Sequence, residues 1–117
     1  MIAKAPYRKV KRYFNTRGRY PRVIPIKKKW FEMILSGEKK EDYREVTEYW
    51  ITRLLDYSGL LGYQDIFIFR NGYRLDSPAF AAEVETCRQL GGNPEWGAKA
   101  EQIYIVIRIK RVIDLDD

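Results

Sequence analysis

The chain has 117 residues, with 22 Lys and Arg against 16 Asp and Glu, a single cysteine and no histidine. That length suits one domain able to bury a core without staples, and the lone Cys87 and missing histidines exclude an internal disulfide and a tetrahedral zinc set, so neither metal nor cofactor is expected. No window approaches the roughly eighteen apolar residues of a membrane span, and charges stand where a secretory leader would be apolar, so a cytoplasmic protein with no membrane partner is expected.

Residues 1–31 hold eleven Lys and Arg and no acid, whereas residues 32–117 hold eleven basic and sixteen acidic residues, so the net charge of +6 is concentrated at one end. Such a field attracts polyanions through phosphate contact and counter-ion release. Residues 1–22 read as a basic N-terminal arm set before a domain at 23–117. In it Arg8, Lys9, Lys11, Arg12, Arg17 and Arg19 are candidate phosphate contacts, interleaved with Tyr7, Tyr13, Phe14 and Tyr20. No clean helical or strand period emerges. Cations among rings suit single-stranded nucleic acid, because a base stacks on the ring while the cation meets the phosphate. A solvated arm whose rings dock on the domain fits the same residues.

Val23 to Ile26 reads as a short strand, and Pro25, with no N–H to give, places it near an edge or bulge. Lys27, Lys28 and Lys29 then open a helix at the end where the macrodipole disfavours cations. That suits an anion site with Lys28 in it, or lysines that simply point into water. Trp30, Phe31, Met33, Ile34 and Leu35 give the helix its apolar stripe, and Gly37 its left-handed stop. In an extended strand beyond it, Lys40, Asp42 and Arg44 share one face and Lys39, Glu41 and Tyr43 the other. Asp42 and Arg44 can therefore pair, either orienting the guanidinium for a ligand or closing a barrel.

A second helix is expected over residues 45–57, with Thr47 as N-cap, Trp50, Ile51, Leu54 and Leu55 inward, and Gly59 as its stop. A loop follows to Gln64. Residues 65–71 form a strand apolar on both faces, Asn71-Gly72 a tight turn, and residues 73–76 a short return. From Ala79 the alternation predicts Phe80, Ala82, Val84 and Thr86 inside and Ala81, Glu83, Glu85 and Cys87 wet. Trp96, in a glycine-rich connection, is expected to close the barrel end. In the last strand Ile103, Ile105, Ile107, Ile109, Ile113 and Leu115 share a parity that Arg111 interrupts, a sign of a bulge. The elements together predict an α+β fold built on a mixed barrel, or strongly curved sheet, of five or six strands with two helices.

Gly37, Lys39, Asp42 and Arg44, behind an apolar helix and Ile26-Lys-Lys-Lys29, resemble the G-x-K-x-x-E-x-R signature of the ASCH domain, a PUA-like β-barrel family. Phe67-Ile-Phe-Arg-Asn-Gly72 and Gly92-Asn-Pro-Glu-Trp-Gly97 extend the likeness over about residues 23–115. Asp42 stands where the family usually has Glu. The resemblance implies a small barrel whose Lys and Arg line a cleft for RNA or a nucleotide. One branch acts as amidohydrolases on acetylated cytidine, with a hydroxyl residue at the position of Asp42, which this chain lacks. Ligand contacts are thus expected at Lys28, Lys39, Asp42 and Arg44.

Lys39 and Asp42 are also the candidate catalytic pair should the protein be a ribonuclease or nucleoside hydrolase, although no hydroxyl of Thr47, Ser58 or Thr86 falls in the signature. The leading expectation is an RNA-binding or single-strand-binding module, monomeric rather than oligomeric, with an enzyme on RNA or modified nucleosides and an adaptor for an acidic protein as the alternatives.

Overall fold

The computed structural model describes residues 2–55, 62 and 64–116. In chain order these form β1 (Ala5–Pro6), α1 (Tyr7–Asn15), β2 (Arg22–Pro25), α2 (Lys28–Leu35), β3 (Glu41–Glu45), α3 (Glu48–Leu54), β4 (Gln64–Arg70), β5 (Pro78–Leu90), a single 3-10 turn (Pro94–Trp96) and β6 (Ile103–Val112). The strands make one sheet in the order β2-β4-β5-β6-β3, with β1 paired to β5. Only β2 and β4 run parallel; the other pairings are antiparallel. The sheet curls into a half-barrel whose two edges are β2 and β3. Pro25 therefore lies on an edge strand, where its missing N–H costs no ladder bond.

The inner face carries the main core. Phe67 and Phe69 of β4, Phe80, Ala82 and Val84 of β5, and Ile105 and Ile107 of β6 pack on Phe31 and Ile34 of α2 and on Leu54 and Leu55 at the end of α3. Phe80 meets Phe31 edge-on at 4.9 Å and stacks on Phe69 at 5.3 Å. Each such buried side chain contributes about 1.5–3 kcal/mol. Thr47 caps α3 as expected, its hydroxyl accepting the Trp50 N–H at 3.3 Å, and Trp50 packs against the core. The expected end of that helix at Tyr57 to Gly59 lies outside the described residues.

The N-terminal segment departs from the aperiodic arm expected of it. Tyr7, Val10 and Phe14 stand at i, i+3 and i+7, and all three are buried in the outer-face cluster with Ile66, Ile68, Ala79 and Ala81. The period is hard to see in the sequence because Arg8, Lys9, Lys11 and Arg12 crowd the intervening positions; they form the exposed side of α1. With β1 also paired to β5, residues 5–15 belong to the fold. This cover explains why β4 is apolar on both faces. It also keeps Ala79 and Ala81 dry on the face of β5 expected to be wet.

Two further differences have local causes. Glu83 pairs with Arg111 but Val84 with Ile109, so Lys110 is the extra residue of a bulge beside Arg111. The extra residue reverses the parity. Ile105 and Ile107 face the inner core, whereas Ile113 and Leu115 pack with the cluster beneath α1, so the odd-numbered row is shared between two faces. Residues 73–76 are turn rather than return strand. After Gly72, at φ 118°, the loop is held by the Ser77 hydroxyl, which accepts the Arg74 N–H, and pairing resumes at Pro78. Among the described residues no helix is long and apolar enough to cross a membrane.

Candidate ligand cleft between the sheet edges

Because the sheet stops short of closure, the gap between β2 and β3 is spanned by side chains. Gly37, at φ 86°, ends the turn after α2, and the Lys39 N–H then bonds the Met33 carbonyl at 2.9 Å before β3 begins. Lys39 therefore precedes the strand and escapes its alternation. Its ammonium turns to the Asp42 side and donates to Oδ1 at 2.9 Å. Arg44 Nε donates to Oδ2 of the same carboxylate at 2.7 Å, and Arg44 Nη2 crosses the gap to the Pro25 carbonyl at 3.0 Å. Asp42 and Arg44 pair as their shared strand face suggests, whereas Lys39, placed on the opposite face by strand alternation, joins them only because it precedes the strand; Arg44 also ties the two edges.

The triad is largely withdrawn from water: the side chains of Lys39, Asp42 and Arg44 are 1%, 5% and 15% exposed. Two cations share one carboxylate, so it keeps one surplus positive charge in a poorly screened place. Burial pulls the Lys39 pKa below its ordinary value, and the Asp42 carboxylate works against that shift. The Trp30 ring lies 4.2 Å from the Lys39 ammonium and 4.6 Å from that of Lys29, so Trp30 is already engaged by cations. Trp50 similarly meets the Arg44 guanidinium at 4.8 Å.

Above the triad opens a cleft of about 740 Å³, within the range of small-ligand sites. Its lining includes four cations, Lys27, Lys39, Arg44 and Lys99, against two carboxylates, Asp42 and Glu45, together with Tyr73, Trp96, Asn71 and Gln102. Lys28 is exposed and does not line it; the neighbouring Lys27 does, because the helix start turns successive side chains by about 100°. Arg8, Lys9, Lys11, Arg12, Arg17 and Arg19 are all exposed on or just after α1, away from the lining. Trp96, expected to plug the barrel end, instead forms part of the cleft wall.

That wall is fixed from behind. The Tyr43 hydroxyl donates to Glu41 at 2.8 Å and accepts the Asn93 N–H at 2.9 Å. Burial, with Glu41 beside it, pushes the Tyr43 pKa up to about 12. Gly92 packs so closely on the Tyr43 ring that a Cβ there would lie 2.6 Å from it. Arg108 then joins β3 to β5 through Glu41 at 3.0 Å and Glu85 at 3.2 Å. Glu85 is thereby engaged on the outer face, as is Glu83, which pairs with Arg111 at 2.8 Å.

Chemically the cleft presents cationic side chains beside flat rings. Both Asp42 oxygens already accept from cations, and the hydroxyls of Tyr43 and Tyr104 are engaged by Asn93 and Lys99 N–H groups. Thr47 is used as a cap and Thr86 does not line the cleft. Tyr73, Lys99 and Gln102 escape notice in the sequence, since each lies in a turn or loop with no periodic signal and reaches the cleft only through the curl of the sheet; Lys27 stands out there only as one of three lysines at the helix start. Comparison with protein-family models, curated proteins and solved structures yields no match for this chain.

Proposed function

We propose that the protein is an RNA-binding module of the cytoplasm, monomeric and ASCH-like within the PUA-like folds, that holds one nucleotide unit in the cleft between β2 and β3. The observation that carries this reading is the buried Lys39–Asp42–Arg44 triad with its surplus positive charge, set in a cleft whose other cations and free ring surfaces suit phosphate and base. Among the described residues, two of the five N–H donors of Arg44 find partners, in Asp42 and the Pro25 carbonyl. The remainder can meet a phosphate without first breaking the ion pair, so binding needs little rearrangement. Since the Trp30 and Trp50 rings already meet cations, stacking of the base in the cleft falls to Trp96, with Tyr73 exposed at the rim.

The cationic side of α1 adds phosphate contacts outside the cleft, the role expected of the basic segment. Truncation cannot test this, because Tyr7, Val10 and Phe14 belong to the core. Charge substitution can. Intact protein is titrated with single-stranded RNA, duplex RNA and single-stranded DNA at low and moderate salt. For six phosphate contacts at ~0.7 ions each, affinity for a single strand should fall about 300-fold for a fourfold rise in salt. Lys27→Gln with Lys99→Gln should weaken binding without lowering the melting temperature. Binding that ignores both salt and these two lysines would remove the proposal.

A further inference from the structure

Between the cleft and α1 lies the loop of residues 71–77, and it belongs to both. Asn71, Gly72 and Tyr73 line the cleft, while the Ser77 and Leu75 carbonyls accept the N–H groups of Tyr7 and Arg8, each at 2.8 Å. Arg70 fastens the junction: its guanidinium stacks 3.8 Å from the Tyr7 ring and donates to the Arg74 carbonyl at 2.8 Å. The start of α1 is thus held to the rim of the cleft by backbone and side-chain contacts together. On the solvent side of this junction Tyr73 is 84% exposed. Arg74 is exposed too, its pairing with Asp76 stretched to 3.9 Å and therefore weak. Beyond it Arg8, Lys11 and Arg12 follow along the exposed side of α1, in a segment with no acidic residue before Glu32.

We infer that the cleft and α1 form one track, joined at the 71–77 loop, that takes a single-stranded oligonucleotide: one nucleotide unit sits in the cleft, a neighbouring base stacks on Tyr73, and the following phosphates meet Arg74, Arg8, Lys11 and Arg12. This rests on the nucleotide reading of the cleft and adds that the cleft and α1 are occupied by one continuous strand crossing the 71–77 loop. An exposed tyrosine between two cationic surfaces favours a single strand, since duplex bases are stacked on each other and offer no face to a ring. A ligand confined to the cleft can meet Tyr73 at its rim but gives no use to Arg74 outside it. A ligand confined to α1 gives none to the buried triad.

The test is fluorescence anisotropy with uridine 5′-monophosphate and oligouridylates from about 2 to about 12 nucleotides, within the range of known single-strand sites. It compares wild type with Arg8→Gln/Lys11→Gln/Arg12→Gln and with Tyr73→Ala. All these positions are exposed, and thermal melting confirms the fold. Wild type should tighten with length. The triple variant should bind the monophosphate as wild type does, lose the gain with length, and show a log–log salt slope shallower by about 2, from three contacts at ~0.7 ions each. Tyr73→Ala should weaken the oligomers by about 10-fold or more, as loss of one base stack does. A monophosphate that binds with no gain from length, or a gain the triple variant keeps, overturns the track and leaves the cleft reading standing. Duplex RNA bound as tightly as the single strand also overturns it. If neither monophosphate nor oligomer binds, both readings fall.

Discussion

Replacing Asp42 by leucine removes the one anion that two cations share. Lys39, 1% exposed, would keep its ammonium in the interior against the Trp30 face at 4.2 Å and the more distant Tyr43 ring at 5.9 Å, contacts of about 0.5–2 kcal/mol that cannot replace water or a carboxylate. Arg44 would lose its 2.7 Å bond but keep the Pro25 carbonyl and an opening to the cleft. Stranding a buried partner typically costs about 3–5 kcal/mol. A domain of this size has about 5–15 kcal/mol in total. In urea, with a slope of about 1.5 kcal/mol per M, the midpoint should fall by about 2–3 M. Lys39→Met combined with Asp42→Leu removes the stranded charge and supplies apolar volume, so it should recover most of the loss. A single variant within about 1 kcal/mol of wild type, or a double variant no better than the single, would refute this account of the triad.

Phe14→Ala should destabilise the protein by about 3–5 kcal/mol, as for a buried aromatic, whereas a free arm would show no change in the denaturation midpoint. Tyr43 should titrate at about 12 by ultraviolet absorbance, with that step absent in Tyr43→Phe. Its folded pKa lies above its ordinary 10.0, so the stability it contributes is complete below 10.0 and lost as pH rises towards about 12. For Lys39 the sign is reversed. Its folded pKa is depressed below 10.5, so the stability linked to its titration is present above 10.5 and lost as pH falls through the folded value. The cleft should accordingly lose affinity for uridine monophosphate in alkali earlier than an exposed lysine would deprotonate. Affinity steady until pH 10.5 would contradict this.

The chain's local patterns were enough to place Gly37 as a helix stop, Thr47 as a cap, Pro25 on an edge, a bulge beside Arg111, and Asp42 with Arg44 on one strand face. Each of these depends on a few neighbouring residues whose backbone preferences act at short range. Three-dimensional packing decided the rest. Val10 and Phe14 become core only because β4 and β5 offer an apolar outer face. Lys39 reaches Asp42 only because its backbone is held by Met33 ahead of the strand. Lys27, Tyr73, Trp96 and Lys99 meet in one cleft because a sheet that twists but does not close brings residues distant in sequence to the same opening. Alternation along a strand can say which side chains share a face, but the curvature that makes two edges face each other is a property of the whole sheet.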